Sequence, residues 1–518
     1  MKTKRKILWV LLSFLLGAAL VLSSSRPSAT AEKDKGSEGK PKHGGVFRII
    51  LPGMPNQFGW TPLFSANEKD VAWPFVEPLI HVDENSQPKP WLATDWKVDP
   101  DGKFVLFNLR KGVRFHDGTE FNAKAVKDSL GLMVKLKPGE IPGVTSIDVV
   151  SEYTVRLNTE YFPSIFWDRM CTRSLISSPT HLAKGEDACK FHPVGTGPFK
   201  FSSWQRDTYV KGEKFKDYWQ KGKPYLDKFE FIFIKDPMTA AAALMAGEAE
   251  AWDQASVKET YDLKQKGFEV QSTPAALISL DPDTKNPNSI YRDKKVREAL
   301  EYAIDRETIT RTLGYGYKRA RTQFSAPGYM GYVPSLERRY NPEKARQLLS
   351  EAGHPKGFNT TIYAYAVQHP RDIMTAVQGY LANVGINAKL EFLEAGRYAE
   401  WRRKSGWSNG LMACYNGGFP FTPNLFSFIL DEDRKDHFSM RRPDGCHETL
   451  QKLMAAGTFE KQTALSEQLT RLLFDDASFI PLWYDLRAVV LRKEVHDMNL
   501  YAGKQINQWN PEDVWIGK

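Results

Sequence analysis

A chain of 518 residues, 42% of them hydrophobic, can bury a sizeable core and divides naturally into two or three lobes. Its formal net charge of +9 falls to +4 once Lys2, Lys4, Arg5, Lys6 and Arg26 are set aside, five basic residues in an N-terminal stretch without acids. Basic blocks interleaved with aromatics are absent, and "ERR" (337–339) and "WRRK" (401–404) are short enough to be solvated helix faces, so nucleic acid is excluded as an expected partner.

The chain opens on "MKTKRK", a basic cap, then the apolar run Ile7 to Leu22, then small residues at Ala29 and Ala31. That order predicts a secretory signal peptide over 1–31, cleaved after Ala31. No cysteine precedes Cys171, so the leader is not expected to end in a lipid-modified cysteine. "EKDKGSEGKPKH" is charged and rich in Gly and Lys, which predicts a flexible linker over 32–43.

"GGVFRIIL" (44–51) reads as the first strand, and "GKFVLFNLRKGVRFHDG" (102–118) as alternating apolar residues running into a His-Asp-Gly turn. "NAKAVKDSLGLMVKL" (122–136) has helical spacing with Asn122 placed to cap it, and 146–160 reads as two short strands. At 192–207 stands "HPVGTGPFKFSSWQRD", whose glycines suggest a phosphate-cradling loop. A dinucleotide fingerprint needs a third glycine and a following helix, and a Walker loop needs Gly-Lys-Ser/Thr. Here Pro198 follows Gly197 and "FKFSSW" alternates like a strand, so "GTGPF" is expected to be a tight turn feeding a strand, with glycines at positive φ or at close backbone approach.

Beyond it, "KFEFIFI" (228–234) is a strand, Asp236 caps the helix "PMTAAAALMA", Gly247 stops it, and "EAEAW" (248–252) alternates again. The second half continues with an amphipathic helix over 293–313 and a helix over 341–353. A strand at 358–366, a helix at 371–385, a strand at 386–393, the helical "GRYAEWRRKSG" and a strand at 410–415 follow. Strands alternating with helices predict a mostly parallel sheet covered on both faces, in two α/β lobes with a cleft between them.

Catalytic patterns fail on context. "GWSNG" (406–410) matches Gly-x-Ser-x-Gly, yet a nucleophile elbow runs strand, turn, helix, and here a helix precedes and a strand follows Ser408. No His-Glu-x-x-His or Cys-x-x-Cys occurs, so no metal or cofactor is expected. Cys171, Cys189, Cys414 and Cys446 are candidates for two disulfides in an exported chain, Cys171–Cys189 and Cys414–Cys446 closing the shortest loops.

One long stretch, "VGTGPFKFSSWQRDTYVKGEKFKDYWQKGKPYLDKFEFIFIKDPMTAAAALMAGEAEAWD", resembles the signature of family 5 extracellular solute-binding proteins, the oligopeptide, dipeptide and nickel receptors of ABC importers. "PKPWLATDWKVDPDGKFVLFNLRKGVRFHDGTEFNAKAVKDSL", "DKKVREALEYAIDRETI", "YNPEKARQLLSEAGHPKGF" and "FIPLWYDLRAVVLRKEVHDM" match further blocks in order, from about residue 44 to the C-terminus. The resemblance implies a type II periplasmic-binding-protein-like α/β fold, two lobes with a hinge plus an inserted α+β subdomain. Lobe I is expected from 44–78, 195–283 and 500–518, lobe II from 79–194, and lobe III from 284–499. It further implies a monomeric periplasmic receptor, not an enzyme, that closes on a small solute and delivers it to an ABC permease. Peptide is the family default; a sugar, a nickel chelate or a modified peptide is the alternative. An exported hydrolase or a sensory binding protein is the reading from another class.

Peptide-binding relatives carry an Asp in lobe III that pairs with the ligand's α-ammonium. The corresponding "LMACYNGGFPFTPNLFSF" (411–428) holds no acid, and none occurs between Glu400 and Asp431. A buried ammonium without a carboxylate is costly, so either another acid reaches in or the ligand is not a conventional free peptide. The resemblance points to Tyr415, Asn416 and Phe419 at the anchor position, Trp401 and Trp407 just upstream, and Arg321 and Gln323 on a cleft-facing loop as ligand-binding candidates.

Overall fold

The computed structural model describes residues 40–64, 66–83, 87–417, 422–432, 436–500 and 509–517. The signal peptide and most of the linker expected for 32–43 lie outside them. Among the described residues no helix is long and apolar enough to cross a membrane.

The local rules of the chain build the elements. Asn122 accepts a hydrogen bond from the Ala125 amide at the start of helix Ala123–Leu136, and Asp236 does the same for Thr239 at helix Pro237–Ala246, which Gly247 closes at φ +78°. The single helix expected over 293–313 is two, Lys294–Ala303 and Arg306–Leu313. Asp305 explains the break: its carboxylate accepts from the Thr308 amide and restarts the helix as a new N-cap.

One 11-stranded sheet runs through the molecule in the order Phe199–Gln205, Tyr209–Lys214, Lys228–Phe233, Val46–Leu51, Ala251–Asp253, Ile480–Leu491, Glu269–Pro282, Leu411–Gly417, Phe358–Ala364 and Ile386–Phe392, with Lys318–Ala320 added beside Ile480–Leu491. The expectation of a mostly parallel sheet is corrected here. Parallel pairs occur toward the two wings, around Val46–Leu51 and around Phe358–Ala364, but the middle is antiparallel. The reason is a pair of long strands, Glu269–Pro282 and Ile480–Leu491, that run antiparallel to each other and carry the sheet from one wing to the other. A separate four-stranded antiparallel sheet, Ala93–Val98, Phe104–Leu109, Thr154–Thr159, Val144–Ser151, has helix Ala123–Leu136 packed on it.

Three large apolar cores follow this division. One gathers Phe47, Ile49, Phe229, Phe231, Val489 and Leu491; another gathers Ile278, Leu300, Ile362, Ile386, Ile480 and Trp483; the third, Phe107, Phe121, Leu130 and Leu157, lies under the four-stranded sheet.

"GTGPF" is a turn between these parts. Neither Gly195 nor Gly197 has positive φ; the need is close approach. A Cβ on Gly195 would stand 2.4 Å from the Phe75 carbonyl oxygen, and one on Gly197 2.5 Å from that of Pro74. Thr196 between them is fully buried and donates its hydroxyl to Glu77 at 2.7 Å. The His-Asp-Gly turn closes on the same loop: the His116 amide donates to the Gly195 carbonyl, and His116 Nε2 bonds the Gly197 carbonyl at 2.9 Å.

The expected disulfides are not formed. Cys171, Cys189, Cys414 and Cys446 are buried thiols, none of them in a disulfide. Cys171 Sγ donates to the His81 carbonyl and Cys189 Sγ to that of His181, so each sulfur is committed to its own surroundings.

Candidate functional site

The sequence of strand Ile480–Leu491, "IPLWYDLRAVVL", locates the site. Its first residues, Ile480, Leu482 and Trp483, belong to one core and its last, Val489 and Leu491, to another. Between the cores stand two charged residues, Asp485 and Arg487, which strand alternation places on one face with Trp483. A strand buried at both ends, half-buried and charged in its middle, marks this stretch as the floor of the candidate site. The partner strand bulges at that point: Thr273 pairs with Arg487 and Pro274 with Leu486, but Ala276 pairs with Asp485, leaving Ala275 extra.

Each charge is met from a different side. Arg487 Nη2 reaches Asp253 Oδ2 at 2.5 Å and Asp70 Oδ2 at 3.0 Å, and Arg487 Nε donates to Asp253 Oδ1 at 3.3 Å. Asp253 ends the short strand Ala251–Asp253, and Asp70 projects from helix Ala66–Ala72. Asp485 Oδ1 accepts from Lys318 Nζ at 2.5 Å, and that ammonium lies 5.8 Å from the Trp483 ring centroid. Burial pushes the Asp70 carboxyl up to about 6 against the pull of Arg487, with Asp253 adding to the rise; Asp485 is also raised by burial, against Lys318.

Tyr415 joins this floor. It pairs laterally with Ile278, which pairs with Trp483, so the three share a face, and burial pushes its phenol up to about 12 in the fields of Asp485 and Arg487. The other expected residues are placed differently. Asn416 is wholly buried: its Nδ2 donates to Ser279 Oγ at 3.0 Å and its Oδ1 accepts from Arg402 Nη2 at 2.9 Å. Trp407 and Trp401 belong to an apolar cluster with Leu393, Tyr398 and Met412, where Trp401 meets Tyr363 edge to face. Gln323 is buried, holding the Val333 amide and the Val333 and Leu336 carbonyls. Arg321 lines a groove of about 540 Å³ with Glu307, Tyr332 and Arg338, its guanidinium 5.3 Å from the Tyr484 ring. Phe419 lies outside the described residues.

Two polar contacts tie the region around the four-stranded sheet to helices Thr422–Leu430 and Cys446–Met454. The Ser164 amide donates to the Met454 carbonyl at 2.8 Å, and Arg169 Nη2 donates to Asn424 Oδ1 at 3.0 Å.

A second cluster has the residue types of a nucleophile, a base and an orienter: Cys414, His437 and Asp281, their ligand atoms within 4.8 Å of one another. Its wiring forbids that chemistry. His437 Nδ1 bonds Asp281, and the other ring nitrogen, which a nucleophile or a metal would need, accepts from Arg402 Nη2 at 3.1 Å. Burial and the Asp281 charge hold the Cys414 thiol well above its usual range, and burial holds His437 low, so a neutral thiol faces a neutral imidazole beside a guanidinium. All three side chains are wholly buried. The cluster is a packed network and offers neither a thiolate nor a cation site.

The sequence model of the bacterial extracellular solute-binding proteins, family 5 Middle, matches residues 87–436. The glutathione-binding protein GsiB of Shigella flexneri is 34% identical over 388 residues, 71% of this chain and 74% of that protein. Among solved structures, the periplasmic binding protein DppA of Helicobacter pylori, in complex with the peptide STSA, aligns with a TM-score of 0.73 at 23% identity, covering 92% of this chain and 99% of that one. NikA of Brucella suis, in complex with Fe(III)-EDTA, aligns with a TM-score of 0.79 at 22% identity, covering 89% and 98%.

Proposed function

Because the chain belongs to the bacterial extracellular solute-binding proteins of family 5, a family of transport binding proteins rather than enzymes that work with ABC permeases, we propose that this member captures a short peptide or a peptide-like solute of the size of glutathione. The observation that carries the reading is the charged and aromatic floor, Trp483, Asp485, Arg487 and Tyr415, at the place where two long strands pass between cores. Such a floor offers apolar area for a backbone and opposite charges for its termini. The 34% identity to a glutathione-binding protein favours a tripeptide-sized solute over a long peptide.

In this reading the bulge at Ala275 lets the two long strands flex, and the lobes are 44–78 with 195–283 and 500–518, then 79–194, then 284–499. Ligand contacts to both sides of the gap favour the closed arrangement; a ligand that binds open and closed forms equally shifts nothing. The contacts Ser164–Met454 and Arg169–Asn424 form the closing edge. The protein works as a monomer in the periplasm after cleavage behind Ala31, carries no lipid, and has no nucleic-acid partner.

Native mass spectrometry on protein purified gently from its own periplasm tests the reading. Co-purified masses of di- to tetrapeptides, or of glutathione, are the expected result. A single non-peptide mass overturns it in favour of a sugar or chelate receptor.

A further inference from the structure

The two long strands have a reverse side. Directly paired residues share a face, so Thr273 lies with Arg487 on the floor, while Val270 and Ser272, paired with Val490 and Ala488, face the other way. The same alternation splits "YGYKRA" (315–320): Lys318 turns to Asp485 on the floor, and Arg319, opposite Tyr484, turns to the reverse. A groove of about 600 Å³ lies on that reverse side. Helix Val257–Gln265, whose Leu263 packs in a core with Ile50, walls it from one wing with Tyr261 and Lys264. Helix Arg306–Leu313, whose Ile309 packs in a core with Ile362, walls it from the other with Arg311 and the residues that follow, Tyr315, Tyr317 and Arg319. The rings of Tyr261 and Tyr315 meet with centroids 5.8 Å apart. Tyr315 does so at φ +48°, a conformation that a bulky residue rarely adopts and that costs the turn.

The charges on these walls have one sign. Lys264, Arg311 and Arg319 line the groove, and no Asp or Glu does. None of the three is in an ion pair among the described residues: Arg311 donates to Thr308 Oγ1 at 3.1 Å, and Arg319 to the Gly316 and Lys318 carbonyls. The acids of the two helices are engaged elsewhere. Asp262 pairs with Lys258 at 2.7 Å, Glu259 accepts from Ser256, and Glu307 lines the separate groove of Arg321. Three cations around a concave aromatic surface without a carboxylate concentrate positive potential in it.

We propose that this groove is a second binding site, behind the candidate floor, which takes a small multivalent oxyanion, phosphate or carboxylate, between Lys264, Arg311 and Arg319. The planar forks of the two arginines suit the two-oxygen edge of either group. The tyrosine hydroxyls add neutral donors, and the volume is that of a small-molecule site. Cations on both walls favour an occupant with more than one negative charge, since a single charge leaves two of them unneutralised. The site is independent of the solute bound at the floor.

Titration calorimetry at neutral pH and physiological salt, with pyrophosphate and citrate as probes, tests it. The expected result is one saturable site for at least one probe, with a dissociation constant of about 100 μM or tighter. Arg311→Gln and Arg319→Gln each weaken binding about 10-fold, whereas Lys135→Gln, an exposed lysine on helix Ala123–Leu136, leaves it unchanged. The first result needs no variant, and thermal melting confirms that the variants fold. Absence of saturable binding of either probe overturns the proposal. Binding that neither arginine variant weakens puts the anion elsewhere and also overturns it, as does binding that Lys135→Gln weakens equally, which is a diffuse charge effect. A second arm mixes the protein with vesicles of phosphatidylglycerol or of phosphatidylcholine. Sedimentation with the former alone, lost in Arg319→Gln and without binding of either probe, gives the groove to a lipid phosphate and overturns the small-molecule occupant.

Discussion

Two buried clusters in this molecule contain the same ingredients, carboxylates around an arginine, and differ in whether their bonds are complete. Around Arg402, every arm of the guanidinium is used: Nε on Asp436 at 2.6 Å, Nη1 on the Tyr415 carbonyl at 2.8 Å, Nη2 on Asn416 and His437. Asp281 is supplied by Ser279 Oγ at 2.7 Å and by His437. Around Arg487, one oxygen of Asp70 is left over. The first cluster is internally closed and locks the strand Leu411–Gly417 to the segment after helix Thr422–Leu430. The second, set between two cores, leaves Asp70 Oδ1 without a hydrogen bond. A satisfied polar network specifies a structure; a partly satisfied one carries a cost in stability.

The contrast breaks if the closed network proves dispensable. Arg402→Met leaves Asp436 buried without its guanidinium and Asn416 and His437 without a donor, so we expect a loss of about 3–5 kcal/mol in urea unfolding. A loss below about 1 kcal/mol would mean that completeness of bonding is no guide to structural weight here.

A third pair of acids lies between these extremes and sharpens the scale. Glu77 accepts from Thr196, Tyr218, Trp91 and Trp219, while Glu512 accepts from Gln220 Nε2 at 3.4 Å and from its own backbone amide. Burial pushes Glu77 up to about 7 and Glu512, with Asp513 and Glu77 nearby, up to about 8. The folded chain then keeps protons that the unfolded chain releases above pH 4.5, so stability falls as pH rises from there and levels off past about 8. Glu512→Gln mimics the protonated acid. It should raise stability at pH 9 by about 2 kcal/mol and leave it unchanged at pH 4, read from melting curves at both values.

Much of the architecture was legible in the residues because its causes are local. Asn122, Asp236 and Asn341 cap helices where their spacing places them, and Gly247 ends one. The long strands were not. Glu269–Pro282 contains two prolines and no strict alternation, and what makes it a strand is its pairing with residues 129 or more positions away. The candidate site is hidden for the same reason. Asp70, Asp253 and Arg487 are scattered over the chain and meet only because the sheet brings Ala251–Asp253 beside Ile480–Leu491. One signal was present: "WYDLRAVVL" places two charges in an otherwise apolar strand, a pattern that a buried strand tolerates only beside a partner or a gap. Proximity in sequence does not set direction, since adjacent positions on a strand face opposite ways: Tyr415 shares a face with Ile278 and Trp483, and Asn416 meets the Arg402 network.

The smallest effect is the most discriminating, because it separates a site from a strut. If the Asp70–Arg487 pair held the fold, Asp70→Asn would destabilise the protein at every pH at which the acid is ionised. The rise of Asp70 to about 6 argues the opposite sign: ionising it in the folded state is unfavourable, and folded protein loses stability as pH climbs from about 4 through 6. Asparagine imitates the protonated carboxyl and removes that cost. We therefore expect Asp70→Asn to gain about 1 kcal/mol at pH 7.5 and nothing at pH 4, measured by denaturant unfolding of ligand-free protein. A gain in stability would show that the ionised carboxyl of Asp70 is a cost to the fold rather than part of its frame. A loss in stability at pH 7.5 would place Asp70 with Arg402, as part of the frame.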